Sequence, residues 1–205
     1  LAYARHDNMI YAGHAGHLLL PRAKHVLRVR IIADLDLRIK DLQEREGVTK
    51  AKALDYIQEE DRHREDWTRY LYNKDIKDPT LYDLVIHVGQ IDDTDAAEVI
   101  CLAAQSPSFT PTPKSQQIIE DAWLQAQSEA LTQDLCEAGI TAQNGIIRVK
   151  IRSSRIKKTA VITPKMQHHL DSALRWELTQ EVTSRIQGIS GVRQVICEVD
   201  PIQYS

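Results

Sequence analysis

Between Asp61 and Tyr70 the chain reads Asp-Arg-His-Arg-Glu-Asp-Trp-Thr-Arg-Tyr, placing Arg62, Arg64 and Arg69 in one polar, helix-compatible run. Arginine presents a planar fork of donors that matches phosphate oxygens two at a time. Arginines clustered on a helix–loop that closes over a phosphate supply the positioning and charge stabilisation that phosphoryl chemistry demands. The competing reading is a solvated helix face, because Asp61, Glu65 and Asp66 stand where they can pair with the arginines locally. The rings of Trp67 and Tyr70 could stack a base or pack the helix that carries them.

The composition frames both readings. The chain has 205 residues, 42% of them hydrophobic and 27% charged, which suits a globular protein with room for two cores. No apolar run is long enough to span a bilayer, and no basic segment followed by an apolar one opens the chain. Cys101, Cys136 and Cys197 are odd in number, widely spaced and set among apolar neighbours. They read as buried, reduced thiols of a cytoplasmic protein rather than as a disulfide frame. His14 and His17, and the adjacent His168 and His169, lack the further ligands a zinc site needs, so no metal is expected. A net charge of −3 argues against a DNA or RNA partner.

The segment Ser106–Lys114 is rich in Pro, Ser and Thr and reads as an extended linker. It divides the chain into residues 1–105, with 15 basic and 19 acidic side chains, and residues 115–205, nearly balanced in charge. The fold class expected is α/β: a partial parallel-sheet domain, then a small α-β-β-α-β sandwich.

In the first part, Met9–Ala12 reads as a short buried strand, and Val26–Ala33 as a β-branched-rich strand. Arg28 and Arg30 stand on one face of the second strand, with Leu27, Val29 and Ile31 on the other. Asp34, Thr49 and Thr94 are the expected helix caps. Leu35, Ile39 and Leu42 form one apolar stripe, and Ala53, Ile57 and Tyr70 another. Leu84–Val88 is a further strand, joined to the second by a right-handed crossover.

In the second part, a helix over Ser115–Ala138 is expected to stop at Gly139. Ile140–Gln143 and Ile146–Arg152 flank Asn144-Gly145, a strong hairpin signal. Ile147, Val149 and Ile151 alternate with Arg148, Lys150 and Arg152, which puts the basic side chains on the opposite face. A helix from Pro164 to Gln187 carries Leu170, Leu174, Leu178, Val182 and Ile186 at core spacing. Val192–Val199 is the last strand, with one more at Ala160–Thr163 as an option.

Six features share one order. They are the Gly13–Gly16 turn, the strand Val26–Ala33, Asp36-Leu37-Arg38-Ile39, Arg45-Glu46-Gly47-Val48-Thr49, Asp61-Arg62-His63-Arg64, and Leu81-Tyr82-Asp83-Leu84-Val85-Ile86. In that order they resemble the cytidylate kinase-like family of P-loop nucleoside monophosphate kinases, over about residues 5–104. The resemblance implies a nucleotide or phosphate site using Arg62, Arg64, Arg69, Arg38 and His14. Two departures weigh against catalysis. None of the eight glycines belongs to a GxxxxGK[ST] phosphate loop. The family's Gly-Arg turn is Gly13-His14 here, and neutral histidine holds no fixed charge. No catalytic residue is therefore assigned, and no cofactor for the chain as given. It reads as a degenerate module that binds a nucleotide or anion, or serves assembly. The alternative is the distal part of an active CMP-type kinase whose loop lies upstream of Leu1, which would bring ATP and Mg.

The α-β-β-α-β order, Asn144-Gly145-Ile146-Ile147, and Gly188-Ile189-Ser190-Gly191-Val192-Arg193 resemble a BON domain over about residues 120–200. That family is associated with phospholipid surfaces or protein association. The resemblance implies a contact surface made of Arg148, Lys150, Arg152, Arg155, Lys157 and Lys158, for an anionic phospholipid or a protein partner. The plainer reading is a solvent-facing strand and loop kept soluble by charge. A homo-oligomer is compatible with either.

Overall fold

A computed structural model describes residues 1–152 and 164–200, with only the backbone over 164–171. The described chain forms two compact units, Met9–Ser115 and Leu1–Asn8 with Gln116–Ser205. The first eight residues thus lie with the second unit rather than with the kinase-like half in which the sequence reading placed them.

The Met9–Ser115 unit is a mixed α/β layer. A short helix α1 (Gly16–Leu19) precedes β1 (Val29–Ala33), α2 (Leu35–Glu46), α3 (Lys50–Tyr72), β2 (Leu84–Val88) and α4 (Asp93–Ala104). β1 and β2 pair in parallel, from Val29 opposite Leu84 to Ala33 opposite Val88. The helical hairpin closes because Gly47 takes φ +67 at the end of α2 and its N–H returns to the Gln43 carbonyl. Thr49 then caps α3 by accepting from the Lys52 amide. Ile39 and Leu42 of α2 meet Ala53 and Ile57 of α3 in one small core.

Several sequence expectations are corrected here. Met9–Ala12 is not a strand, and β1 begins at Val29 rather than Val26. Arg28 is buried, and Ile31, assigned to the apolar face, is 57% exposed. Tyr70 does not join Ala53 and Ile57 and is 86% exposed. It lies 13 residues beyond Ile57, over which the 3.6-residue repeat drifts off the core face. Asp92, not Thr94, caps α4 by accepting from the Asp95 amide at 2.8 Å. Asp34 precedes α2 without capping it and instead reaches His87, 3.3 Å away. Ser106–Lys114 is not simply extended: Ser106 caps a 3-10 turn over Pro107–Phe109, and Thr112 and Ser115 exchange hydrogen bonds around Pro113. Cys101 is exposed, while Cys136 and Cys197 are half-buried free thiols raised by burial.

In the second unit, α5 (Pro113–Thr132), β3 (Ala138–Gln143), β4 (Ile146–Ile151), α6 (Pro164–Gln187) and β5 (Gln194–Val199) follow the expected order. The strands lie β3-β4-β5, antiparallel then parallel. α5 stops six residues before the expected end. Gly139 pairs with Lys150 inside β3 instead of ending a helix. Arg185 of α6 seals the end of α5, with its guanidinium on the Leu131 carbonyl at 3.1 Å and on Asp134 at 2.9 Å. Asn144 (φ +52) and Gly145 (φ +75) make the tight hairpin, which needs two left-handed residues. The Asp121 carboxylate accepts both of their amides. Leu124, Ile140, Ile147, Val149, Ile151, Val182 and Ile186 form the core. Leu174, placed in the apolar stripe of α6 by sequence, is exposed. Arg5 joins this unit through a two-pronged pair with Glu120, at 2.7 and 2.8 Å, and lies over the Trp123 ring. The optional strand Ala160–Thr163 lies outside the described residues.

The alternation in β4 yields a sharp contrast. Val149 is 1% exposed, so Val149→Asp buries an unpaired carboxylate and should cost about 3 kcal/mol or more. Lys150→Asp on the exposed face should change stability by less than about 1 kcal/mol. Urea denaturation of both variants measures this, and the reverse ranking would mean that the register of β4 is wrong by one residue.

Candidate functional site

The Met9–Ser115 unit holds an open cavity of about 550 Å³. Its walls come from the turn at Gly13–His17, from β1, from Arg38 of α2, from Asp61, Arg64 and Glu65 of α3, and from Ile76, Lys77 and Tyr82 ahead of β2. Four permanent cations, Arg30, Arg38, Arg64 and Lys77, face two carboxylates, Asp61 and Glu65. The lining therefore favours an anion.

Each cation is held differently. Arg38 and Asp61 form a bidentate pair at 2.7 and 2.8 Å, which holds the Asp61 carboxyl below the usual range and pushes the Arg38 guanidinium up. Lys77 contacts Glu65 at 2.6 Å, and that hydrogen bond raises its ammonium. Arg30 donates to the Ile76 carbonyl and lies over the Tyr82 ring, 5.6 Å from its centroid. Tyr82 donates its hydroxyl to the same carbonyl at 2.9 Å, and burial raises its phenol. Arg64 is the least engaged, 3.6 Å from Glu60. Two rings and three aliphatic side chains also belong to the lining. The His17 ring packs on Tyr82 with centroids 4.6 Å apart, beside Val29, Ile31 and Ala33.

Arg28 fixes this wall without lining it. It is 7% exposed, and its guanidinium donates to the His17 carbonyl at 3.3 Å and the Pro21 carbonyl at 2.8 Å. Its amide donates to Asp83 at 2.8 Å. Burial pulls its guanidinium below the ordinary value while Asp83 opposes that shift. Burial, then Arg28, then Arg30 likewise lower His17, whose Nε2 is buried without a hydrogen-bond partner among the described residues.

Of the residues singled out in the sequence, Arg38, Arg64 and His14 meet at this cavity. Arg62 and Arg69 do not. They are seven residues apart, share one solvent-facing side of α3 and are exposed. The expected helix–loop is instead one uninterrupted helix through Tyr72. Trp67 sits edge-on to Tyr72 and, with Tyr70, lies away from the cavity. Arg30, Lys77, Tyr82 and His17 escaped the sequence reading as site residues. Arg30 stands out as one of two charged residues in an expected strand, while His17 enters the sequence reading only as a metal ligand and Tyr82 only as part of a motif. In the second unit, Arg148 and Lys150 are exposed on one sheet face and Arg152 is exposed just past the end of β4, with no ion pair among the described residues. Arg155, Lys157 and Lys158 lie outside the described residues.

The architecture defines a mixed α/β unit whose parallel strand pair flanks an anion-favouring cavity. Residues 1–90, which carry most of this unit, match the model of the cytidylate kinase-like family. Over 95 residues the chain is 34% identical to the cytidylate kinase of Sulfolobus acidocaldarius, covering 46% of this chain and 51% of that one. The chain thus spans about half the length of this curated relative. The crystal structure of an uncharacterized protein from Eubacterium ventriosum is 27% identical, covering 38% of this chain and 44% of that one, with a TM-score of 0.37. No helix among the described residues is long and apolar enough to cross a membrane.

The depressed His17 has a consequence for stability. Below its ordinary value near 6.5 the unfolded chain takes up a proton there that the folded chain resists, so stability falls as pH drops through that range. His17→Gln should flatten the stability profile between about pH 7 and pH 5.5. Thermal unfolding across that range checks it, and an equally steep loss in the variant would refute it.

Proposed function

We propose that the Met9–Ser115 unit binds the phosphate end of a nucleoside monophosphate, with the base against the Tyr82–His17 wall, and that these 205 residues do not themselves transfer phosphate. The observation that carries the reading is the meeting of Arg30, Arg38, Arg64 and Lys77 with the rings of His17 and Tyr82 in one cavity of nucleotide size. The family match over residues 1–90 and the likeness to a cytidylate kinase support the choice of ligand class. The lining does not fit a bound ATP–Mg pair. No GxxxxGK[ST] loop is present, and Asp61 and Glu65, the two carboxylates of the cavity, are committed to Arg38 and Lys77. Binding without turnover is the function these residues support best. A preceding segment bearing such a loop would make the same cavity the acceptor half of an active kinase using ATP and Mg. The coverage of only half the relative's length favours keeping that second reading.

CMP should raise the melting temperature of the chain, since a ligand of the folded state stabilises it by mass action. Arg64→Ala should remove most of that shift, and Arg69→Ala should leave it intact. No phosphoryl transfer from ATP to CMP, dCMP or UMP should be seen. Turnover near about 1 per second, an ordinary kinase rate, would overturn the non-catalytic reading. An unchanged shift in Arg64→Ala would overturn the site.

For the second unit we infer a BON-like contact module acting through Arg148, Lys150 and Arg152. Arg148 and Lys150 of the central strand and Arg152 just past its end are exposed and without ion-pair partners among the described residues, which supports it. Lys150→Asp should weaken sedimentation with phosphatidylserine vesicles at low salt, with the difference fading at high salt. Equal binding by both forms at low salt would leave the face a merely solvated one.

A further inference from the structure

We propose that His17 takes up a proton when an anion enters the cavity, making it a positioning residue that ties ligand binding to pH. The inference rests on the reading of the cavity as a phosphate site.

The groups around the ring have no negative charge to spare. From the start of β1, Arg28 holds the His17 carbonyl, and from within β1 Arg30 approaches the same aromatic wall. From the segment ahead of β2, Tyr82 stacks on the ring while its hydroxyl serves Ile76, and Asp83 serves the Arg28 amide. From α3, Asp61 is bound by Arg38 and Glu65 by Lys77. His14 lies on the same turn, exposed at the cavity mouth.

His17 therefore sits among cations with a buried, unpartnered ring nitrogen, and stays neutral. An anion in the cavity supplies the counter-charge this surrounding lacks. It need not touch the ring to do so, because charges interact strongly over several ångströms away from bulk water. The sign follows from reciprocity. If the anion makes protonation of His17 easier, then protonation of His17 makes anion binding tighter by the same factor. Affinity should rise as pH falls from neutrality towards the acid side of the ordinary histidine range.

Sulfate is the suitable probe, because it does not itself titrate between about pH 5 and pH 8. Calorimetry on the whole chain should show sulfate binding about fivefold tighter near pH 5.5 than near pH 7.5. Repeating it in buffers of different ionisation heat should show proton uptake on binding. His17→Gln should lose both the pH dependence, read as the ratio of its own affinities at the two pH values, and the proton uptake. His17→Phe, which keeps a ring against Tyr82, should do the same and guards against a folding artefact. His63→Gln, on α3 and outside the cavity, should retain both effects. An unchanged pH dependence in the two His17 variants, or its disappearance in His63→Gln, overturns the inference. Sulfate binding that is pH-independent in the parent chain also overturns it while sparing the phosphate site. No binding at any pH sinks the site itself.

Discussion

A guanidinium that is 7% exposed must find partners for its donors inside the protein, and Arg28 meets that demand by tying three segments together. Its side chain reaches the carbonyls of His17 and Pro21, and its backbone exchanges hydrogen bonds with Asp83. The turn that carries His14 and His17, the start of β1 and the approach to β2 are thereby held in one arrangement. The cavity is the space those segments leave against α2 and α3. Arg30, two residues on, depends on the same geometry. Its contacts with Ile76 and Tyr82 exist only if the approach to β2 is already in place.

The cations of the cavity are pre-paired rather than bare. Asp61 and Glu65 occupy donors of Arg38 and Lys77 that a phosphate would otherwise take. Such pairing lowers the repulsion between neighbouring positive groups in the empty site. It also means that a ligand has to compete for its contacts. Half-exposed ion pairs of this kind contribute little to folding, so breaking them costs little. Arg64, with only a long contact to Glu60, is the cation best placed to act first.

Local chemistry made much of the fold legible. Thr49, Asn144-Gly145 and the alternation of Ile147, Val149 and Ile151 each encode a cap, a turn or a face within a few residues, and the structure uses each as read. Where the reading failed, the deciding partner lay far off in sequence. α5 ends early because Gly139 is claimed by Lys150 across a ladder and because Arg185 caps the helix from α6. Arg28 reads as a partner of Arg30 on one strand face, and only the approach of His17, Pro21 and Asp83 sets it apart as buried. The candidate site was half visible for the same reason. Arg38, Arg64 and His14 stood in recognisable local patterns, whereas Lys77, Tyr82 and His17 become site residues only when the turn and the approach to β2 meet. The cluster of Arg62, Arg64 and Arg69 dissolved because two residues along a helix is more than half a turn around it.

The hairpin at Asn144-Gly145 has a bearing on how this protein ages. In a loose chain, the backbone nitrogen of a glycine that follows asparagine can attack the asparagine side-chain carbonyl carbon, expelling ammonia and closing a cyclic imide that water then opens to an acidic residue. Here that nitrogen is engaged, its hydrogen donated to the Asp121 carboxylate at 3.1 Å. The neighbouring carboxylate is itself positioned by α5, so the protection lasts only while the helix and hairpin stay docked. A side chain that reads as a turn clamp thus also acts as a chemical guard, and each local opening exposes the amide to slow, irreversible conversion.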